Sequence, residues 1–213
     1  MSFIDFETPI PPRKGDSLFR DDLPDRQNNA CLSVNWSDNE FLYTEGYRRA
    51  AQLLVEHTVE HQGNKHFLVY PVVFLYRHHI ELALKKLILH APYIIGHQLT
   101  DTEMQHLGKH RLDLLWQDLK PMLAAVCKAA GWGTLSSADE EGINSYISQL
   151  TALDPESYSF RYTHSKSGAP SLPSEKRINI RHFAEMMERL ADYLDRLDTA
   201  VGVLEEAKME AYT

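Results

Sequence analysis

The sequence is poor in cysteine and has no apolar run of the roughly 20 residues that a membrane-spanning helix needs. Cys31 and Cys127 are its only cysteines, and they are far apart with no CxxC spacing. Two distant thiols argue against a disulfide framework and against a cysteine-based metal site. The first residues, MSFIDFETPIPP, lack the basic and then apolar order of a secretory signal. We therefore expect a cytoplasmic protein with reduced thiols that does not associate with membranes.

Positive charge is also scarce, because 22 Lys and Arg stand against 30 Asp and Glu, for a net charge of −8. An acidic chain is a poor general binder of nucleic acid, so any such binding must be local. One segment, residues 161–182, reverses this balance and has a single acidic residue, Glu175. Its positive residues are Arg161, Lys166, Lys176, Arg177 and Arg181. The segment is either a solvated basic loop or a local site for an anionic ligand.

Several catalytic and nucleotide-binding motifs are absent from the sequence. It contains no GxxxxGK(S/T), GxGxxG, HExxH or GxSxG pattern, which argues against a P-loop, a dinucleotide fold, a zinc protease and a serine hydrolase. His78 and His79 are neighbours on one predicted helix, and neighbouring helical residues do not converge on one metal ion. We therefore expect neither a metal site nor a cofactor.

Apolar residues recur at helical spacing over most of residues 36–213, which predicts a helical bundle domain. The predicted helices cover about 39–62, 65–90, 110–130, 138–153 and 180–210. SFRYT and RINI read as short extended pieces, so a small β-hairpin is allowed at 158–180. Residues 1–35 hold four prolines and no sustained period, which predicts an irregular N-terminal arm. The expected fold class is all-α, with about five helices.

The longest helical run, Tyr70–His90, carries charges where its apolar stripe should continue. Arg77 and Glu81 lie one turn apart in the middle of that stripe. Burying either charge alone would be costly, so we expect them to pair in the core. His110 either caps its own helix or joins Arg77 and Glu81 in a buried polar cluster. Arg161 either turns inward to meet Glu81 or binds a ligand, and the inward role is favoured.

The segment RINIRH, residues 177–182, is predicted to lie at the start of the last helix, with Asn179 as its N-cap. A helix N-terminus favours an anion such as phosphate, and its dipole keeps His182 neutral and able to accept a proton. A 2′-hydroxyl of RNA could supply that proton while Arg177 and Arg181 hold the phosphate. Catalysis would then rest on Arg177 and His182.

A wider set of residues is predicted to bind nucleic acid or phosphate. Arg161 is flanked by two aromatic residues, and such a side chain could stack on a base or hold a phosphate. The predicted set is Arg161, Tyr162, Lys166, Lys176 and Arg181.

The order of YRHHIELALKKLI, KHRLDLLW, a DPxSxSFRY segment, Gly168 and a closing amphipathic helix resembles the HEPN superfamily (higher eukaryotes and prokaryotes nucleotide-binding). The resemblance covers about residues 40–205. It implies an all-helical and usually dimeric domain, often a metal-independent ribonuclease of toxin–antitoxin or phage-defence systems with an Arg–x4-6–His motif. Other members have lost the motif and serve as binding or assembly domains. Arg177 and His182 fit the spacing, whereas Ile178 stands where active members often have a polar residue.

These observations leave three functions open. The first is a HEPN-like module that binds a nucleotide, an RNA or a protein partner such as an antitoxin, without catalysis. The alternative is a metal-independent ribonuclease that uses Arg177 and His182 across a homodimer. The third is a structural dimerisation domain that uses the apolar seam of the last helix, although core packing is the favoured use of that seam. That seam consists of Phe183, Met187, Leu190, Leu194, Leu197, Val201 and Leu204.

Overall fold

A computed structural model of the chain describes residues 11–15, 17–19, 23–32, 36–172 and 177–211. The chain divides into two compact units, Met1–Trp36 and Ser37–Thr213. The described residues of the first unit include one short 3-10 helix, Arg26–Asn28. Part of the predicted arm at 1–35 lies outside the described residues, and so does Lys176.

Six α-helices form the architecture of the described part of the chain, and the all-α helical bundle is confirmed. They are α1 (Trp36–Glu60), α2 (Lys65–Ile95), α3 (Asp101–Leu107), α4 (Leu112–Ala129), α5 (Ser137–Leu153) and α6 (Ile180–Glu210). Within the described ranges there is no β-strand. In the same part of the chain, no helix combines the length and the hydropathy needed to cross a membrane.

The centre of the fold is α2, which packs against α6 and α4, while α5 packs against α4. The side chains of Val72, Tyr76, Ile80, Leu84 and Leu87 are at most 1% exposed. Fully burying one such aliphatic or aromatic side chain stabilises a fold by about 1.5–3 kcal/mol. The apolar face of α2 is therefore the main organiser of the bundle, and two prolines inside the helix do not end it.

The apolar seam of α6 lies in this same core. Met187, Leu190, Leu194 and Val201 are at most 3% exposed and belong to the cluster around α2. The other three seam residues, Phe183, Leu197 and Leu204, are partly buried and pack against the same cluster. The structure therefore favours core packing over the dimerisation role for these residues.

The inward face of α1 includes a charged residue. Ala51 and Thr58 are buried, but Tyr43 is 62% exposed and Arg48 is only 9% exposed. Arg48 forms ion pairs with three carboxylates of α6: Glu188, Asp192 and Asp195. Their spacing of four and three residues puts them on one face of α6, and this row of acceptors turns Arg48 inward.

Two local features differ from the expectation based on the sequence. The gap between the predicted helices at 65–90 and 110–130 contains a further helix, α3, which begins with a capping box between Thr100 and Glu103. The hairpin that the sequence allows at 158–180 is limited, within the described residues, to a single antiparallel bridge between His164 and Pro170. The segment SFRYT forms a turn instead of a strand.

Candidate nucleic-acid interface

An open groove of about 1220 Å³ lies where the end of α1 and the starts of α2 and α6 meet the loop before α6. The Lys and Arg side chains that line it are Lys65, Arg161, Arg177 and Arg181, and its described lining contains no Asp or Glu. We call this surface the basic groove. Four positive charges without a negative one contrast with the net charge of −8 for the whole chain. The groove is therefore suited to an anionic ligand.

The start of α6 forms one border of the basic groove. The side-chain oxygen of Asn179 accepts a hydrogen bond of 3.1 Å from the backbone N–H of His182, which confirms the predicted N-cap. Asn179, Ile180 and Arg181 all line the groove. The first turn of α6 thus adds the partial positive charge of a helix N-terminus to the charge of its Arg side chain.

A turn after α5 holds Arg161 at the groove. The carboxylate of Asp154 is buried, and its Oδ1 accepts hydrogen bonds from the backbone N–H groups of Tyr158 (2.7 Å) and Ser159 (2.8 Å). Ser157 has a positive φ of 57°, and its carbonyl oxygen accepts a hydrogen bond of 2.6 Å from Arg161 Nε. These bonds give the backbone a compact alternative to a strand. They explain why the expected extended segment is a turn.

Arg161 remains outside the core, so the favoured inward role is wrong. Its side chain is exposed, and its guanidinium carbon lies 5.5 Å from the ring centroids of both Phe74 and Tyr162. Such a distance is typical of a cation–π contact. Tyr162 in turn stacks on Tyr158, with ring centroids 4.3 Å apart and an interplanar angle of 24°.

The turn is anchored to a buried polar cluster centred on Arg77. The Arg77 guanidinium donates hydrogen bonds to Glu81 (3.2 Å), the His110 carbonyl (2.6 Å) and the Asp154 carbonyl (3.2 Å). Glu81 also accepts hydrogen bonds of 2.8 Å from Lys85 Nζ and His110 Nδ1. The structure thus brings Arg77, Glu81 and His110 together, although the His110 side chain is half exposed. Asp154 is a member of the cluster that sequence reasoning missed.

The cluster keeps both of its central groups charged. Burial alone would raise the pKa of Glu81, but the hydrogen bonds from Lys85 and His110 outweigh it and the pKa is lowered. Burial lowers the pKa of Arg77, and the carboxylates of Asp154 and Glu81 oppose that effect. Arg77 has such a high intrinsic pKa that it stays protonated at neutral pH. The buried positive charge of Arg77 is therefore paired with negative charge, as we expected for charged residues within an apolar helix stripe.

The predicted ligand-binding residues are only partly brought together. Arg161, Tyr162, Arg177 and Arg181 line the basic groove. His182 is exposed on the first turn of α6, outside the groove lining, and its imidazole has no hydrogen-bond or ion-pair partner among the described residues. Lys166 is exposed in the loop and does not line the groove. The structure therefore gathers the arginines in the groove, whereas His182 lies outside the groove lining.

The start of α2 supplies groove residues that sequence reasoning did not single out. Lys65, His66 and Tyr70 line the groove together with Arg161 and Arg177, which lie about 90 to 110 residues further along the chain. No local pattern marks them, because their role depends on how α2 packs beside α6. In the described part of the chain, no group of three His, Cys, Asp or Glu side chains is arranged to hold a metal ion.

Comparison with known proteins gives no relative from which a function could be transferred. No protein-family model, no curated protein and no solved structure matches the chain. The resemblance to the HEPN superfamily therefore stays a prediction. The basic groove is the feature of the molecule that indicates a function.

Proposed function

We propose that this protein binds RNA by holding its phosphate backbone in the basic groove, without cleaving it. The observation that carries the proposal is the charge of the groove: four Lys and Arg side chains and no described acidic one, on a chain of net charge −8. Phosphate contacts supply most of the affinity of proteins for nucleic acids, and they need this kind of local positive surface.

The size and openness of the groove favour a polymer over a single nucleotide. Its volume of about 1220 Å³ exceeds the roughly 300–1,000 Å³ that is usual for a small-molecule pocket. Its positive groups come from α2, from the turn after α5 and from the start of α6, so they are spread along the surface. A backbone with a phosphate on every nucleotide can contact such separated charges at the same time.

The ribonuclease alternative depends on the spacing of Arg177 and His182. Arg177 lines the groove, but His182 does not, and a general base must come within hydrogen-bond reach of the hydroxyl it deprotonates. Incubating RNA with the protein in EDTA, beside a His182→Ala variant, separates the two functions. Binding without cleavage is the expected result, whereas cleavage that is lost in His182→Ala would replace our proposal with the ribonuclease.

The contribution of the positive groove residues to RNA binding is tested by measuring the affinity for a labelled 20-nucleotide RNA at several salt concentrations. Lys65→Ala and Arg177→Ala should each weaken binding and should each lower the slope of log K against log[salt] by about 0.7, the value for one phosphate contact on a single strand. Lys128→Ala and Arg189→Ala are matched controls, because these exposed residues lie outside the groove lining. Equal effects of the groove and control variants would contradict the proposal.

A further inference from the structure

Tyr162 lines the basic groove and is about half exposed, at 50%, as is Tyr70, at 48%. Tyr158 stacks against the Tyr162 ring and Arg161 lies 5.5 Å from its centroid, so the ring is supported by its neighbours. A ligand that covers this half-exposed ring removes its apolar surface from water, and that burial favours binding.

The backbone that carries Tyr162 is fixed before any ligand arrives. Asp154 holds the two N–H groups at the start of the turn, and Arg161 Nε bonds the carbonyl of Ser157. The N–H of Tyr162 itself bonds the carbonyl of Tyr158 at 3.2 Å. Since the turn is already ordered, a ligand that stacks on the ring has little conformational entropy to overcome there.

We propose that Tyr162, with Tyr158 stacked on one face of its ring, is a stacking platform for an unpaired nucleobase at the edge of the basic groove. The inference rests on the proposed function and names its ligand class, which is single-stranded RNA. Bases in an A-form duplex are stacked on one another and are not available to a protein ring, whereas unpaired bases can turn outward onto an aromatic side chain. Arg161 adds a cation beside the same base and its phosphate.

The test compares three ligands of equal length: a single-stranded RNA, the same strand built from stable abasic units, and a duplex. The abasic strand keeps the phosphates and lacks the bases, so it measures the charge contribution alone. The parent protein should bind the single strand about 5- to 150-fold more tightly than the abasic strand, since one base–aromatic contact is worth about that factor. The duplex should also bind less tightly than the single strand.

In Tyr162→Ala the advantage of the single strand over the abasic strand should be lost, while binding of the abasic strand should stay unchanged. Tyr162→Phe should retain the advantage, because the ring is kept and only the hydroxyl is removed. Trp132→Ala is the matched control, because Trp132 is 53% exposed and lies outside the groove lining. A damaged fold would weaken binding of both strands together, so the ratio between them isolates the stacking contact.

Two results would overturn the platform and leave the proposed function intact. One is equal affinity of the parent for the single strand and the abasic strand, with the salt dependence still present. The other is loss of the base advantage in Tyr70→Ala and its retention in Tyr162→Ala, which would move the base to the start of α2. If the parent binds neither strand, the proposed function fails and the platform fails with it.

Discussion

Among single residues, Asp154 connects the core to the candidate binding surface. One side of its carboxylate faces the buried Arg77, at 3.5 Å from Nε, and the other holds the backbone of the turn that presents Arg161. A residue with both functions affects stability and ligand binding together. The polar cluster beneath the groove therefore supports the candidate binding surface as well as the fold.

Replacing Asp154 with alanine should therefore destabilise the protein by about 2–4 kcal/mol, because two half-buried backbone N–H groups lose their acceptor and Arg77 loses a countercharge. Asp154→Asn keeps an oxygen acceptor in the same place, so it should lose less stability than the alanine variant. Urea unfolding of the three proteins at pH 7 provides the comparison. An alanine variant within about 0.5 kcal/mol of the parent would show that the carboxylate does not anchor the turn.

The sequence reveals buried charges more readily than it reveals surface sites. Arg77 and Glu81 could be predicted because they interrupt an apolar stripe, where an uncompensated charge would be costly. Asp154 could not, because it follows the end of α5 and no periodicity applies there. Lys65 and Tyr70 also gave no signal, since a groove is made by tertiary packing between distant segments.

At the scale of the helices, His90 joins three of them. Its Nδ1 lies 3.0 Å from Glu205 on α6, and its Nε2 lies 3.3 Å from Glu40 on α1. Carboxylates only accept hydrogen bonds, so both contacts are made together only when the imidazole is protonated. Burial alone would lower the pKa of His90, but the two carboxylates outweigh it and the pKa is raised.

This contact makes a pH-dependent contribution to stability. A raised pKa means that the folded state holds the proton more tightly, so the stabilisation is complete below the unfolded pKa of 6.5 and is lost as pH rises through the folded value. His90→Gln should therefore cost more at pH 5.5 than at pH 9, by less than about 1 kcal/mol because the groups are partly exposed. Urea unfolding of parent and variant at both pH values tests this. A difference that is the same at both pH values, or larger at pH 9, would contradict the assignment.

The pattern of helices was largely predictable, and its exceptions have physical causes. Long amphipathic segments such as α4 and α6 are marked by their apolar spacing, because most of each inward face is buried. The seven residues of α3 are too few to establish a period, and only the Thr100–Glu103 capping box indicates it. The turn at SFRYT was predicted as extended because the hydrogen bonds from Asp154 come from outside that segment.

At the scale of the whole molecule, charge is distributed unequally. The chain is acidic overall, and the face of α6 around Arg48 carries three carboxylates, two of which are at least half exposed. The basic groove has the opposite sign. An acidic body repels a polyanion except at such a groove, so the same charges that weaken general binding should direct RNA to one surface.

Photo-crosslinking of a 4-thiouridine-labelled single strand to the full-length protein tests directly whether RNA occupies the basic groove. Mass spectrometry then locates each adduct in the sequence. We expect adducts within residues 58–70, 159–172 and 177–181, and their loss when Lys65 and Arg177 are both replaced by alanine. Adducts confined to α4 or to the acidic face of α6, and unaffected by those replacements, would contradict RNA binding in the groove.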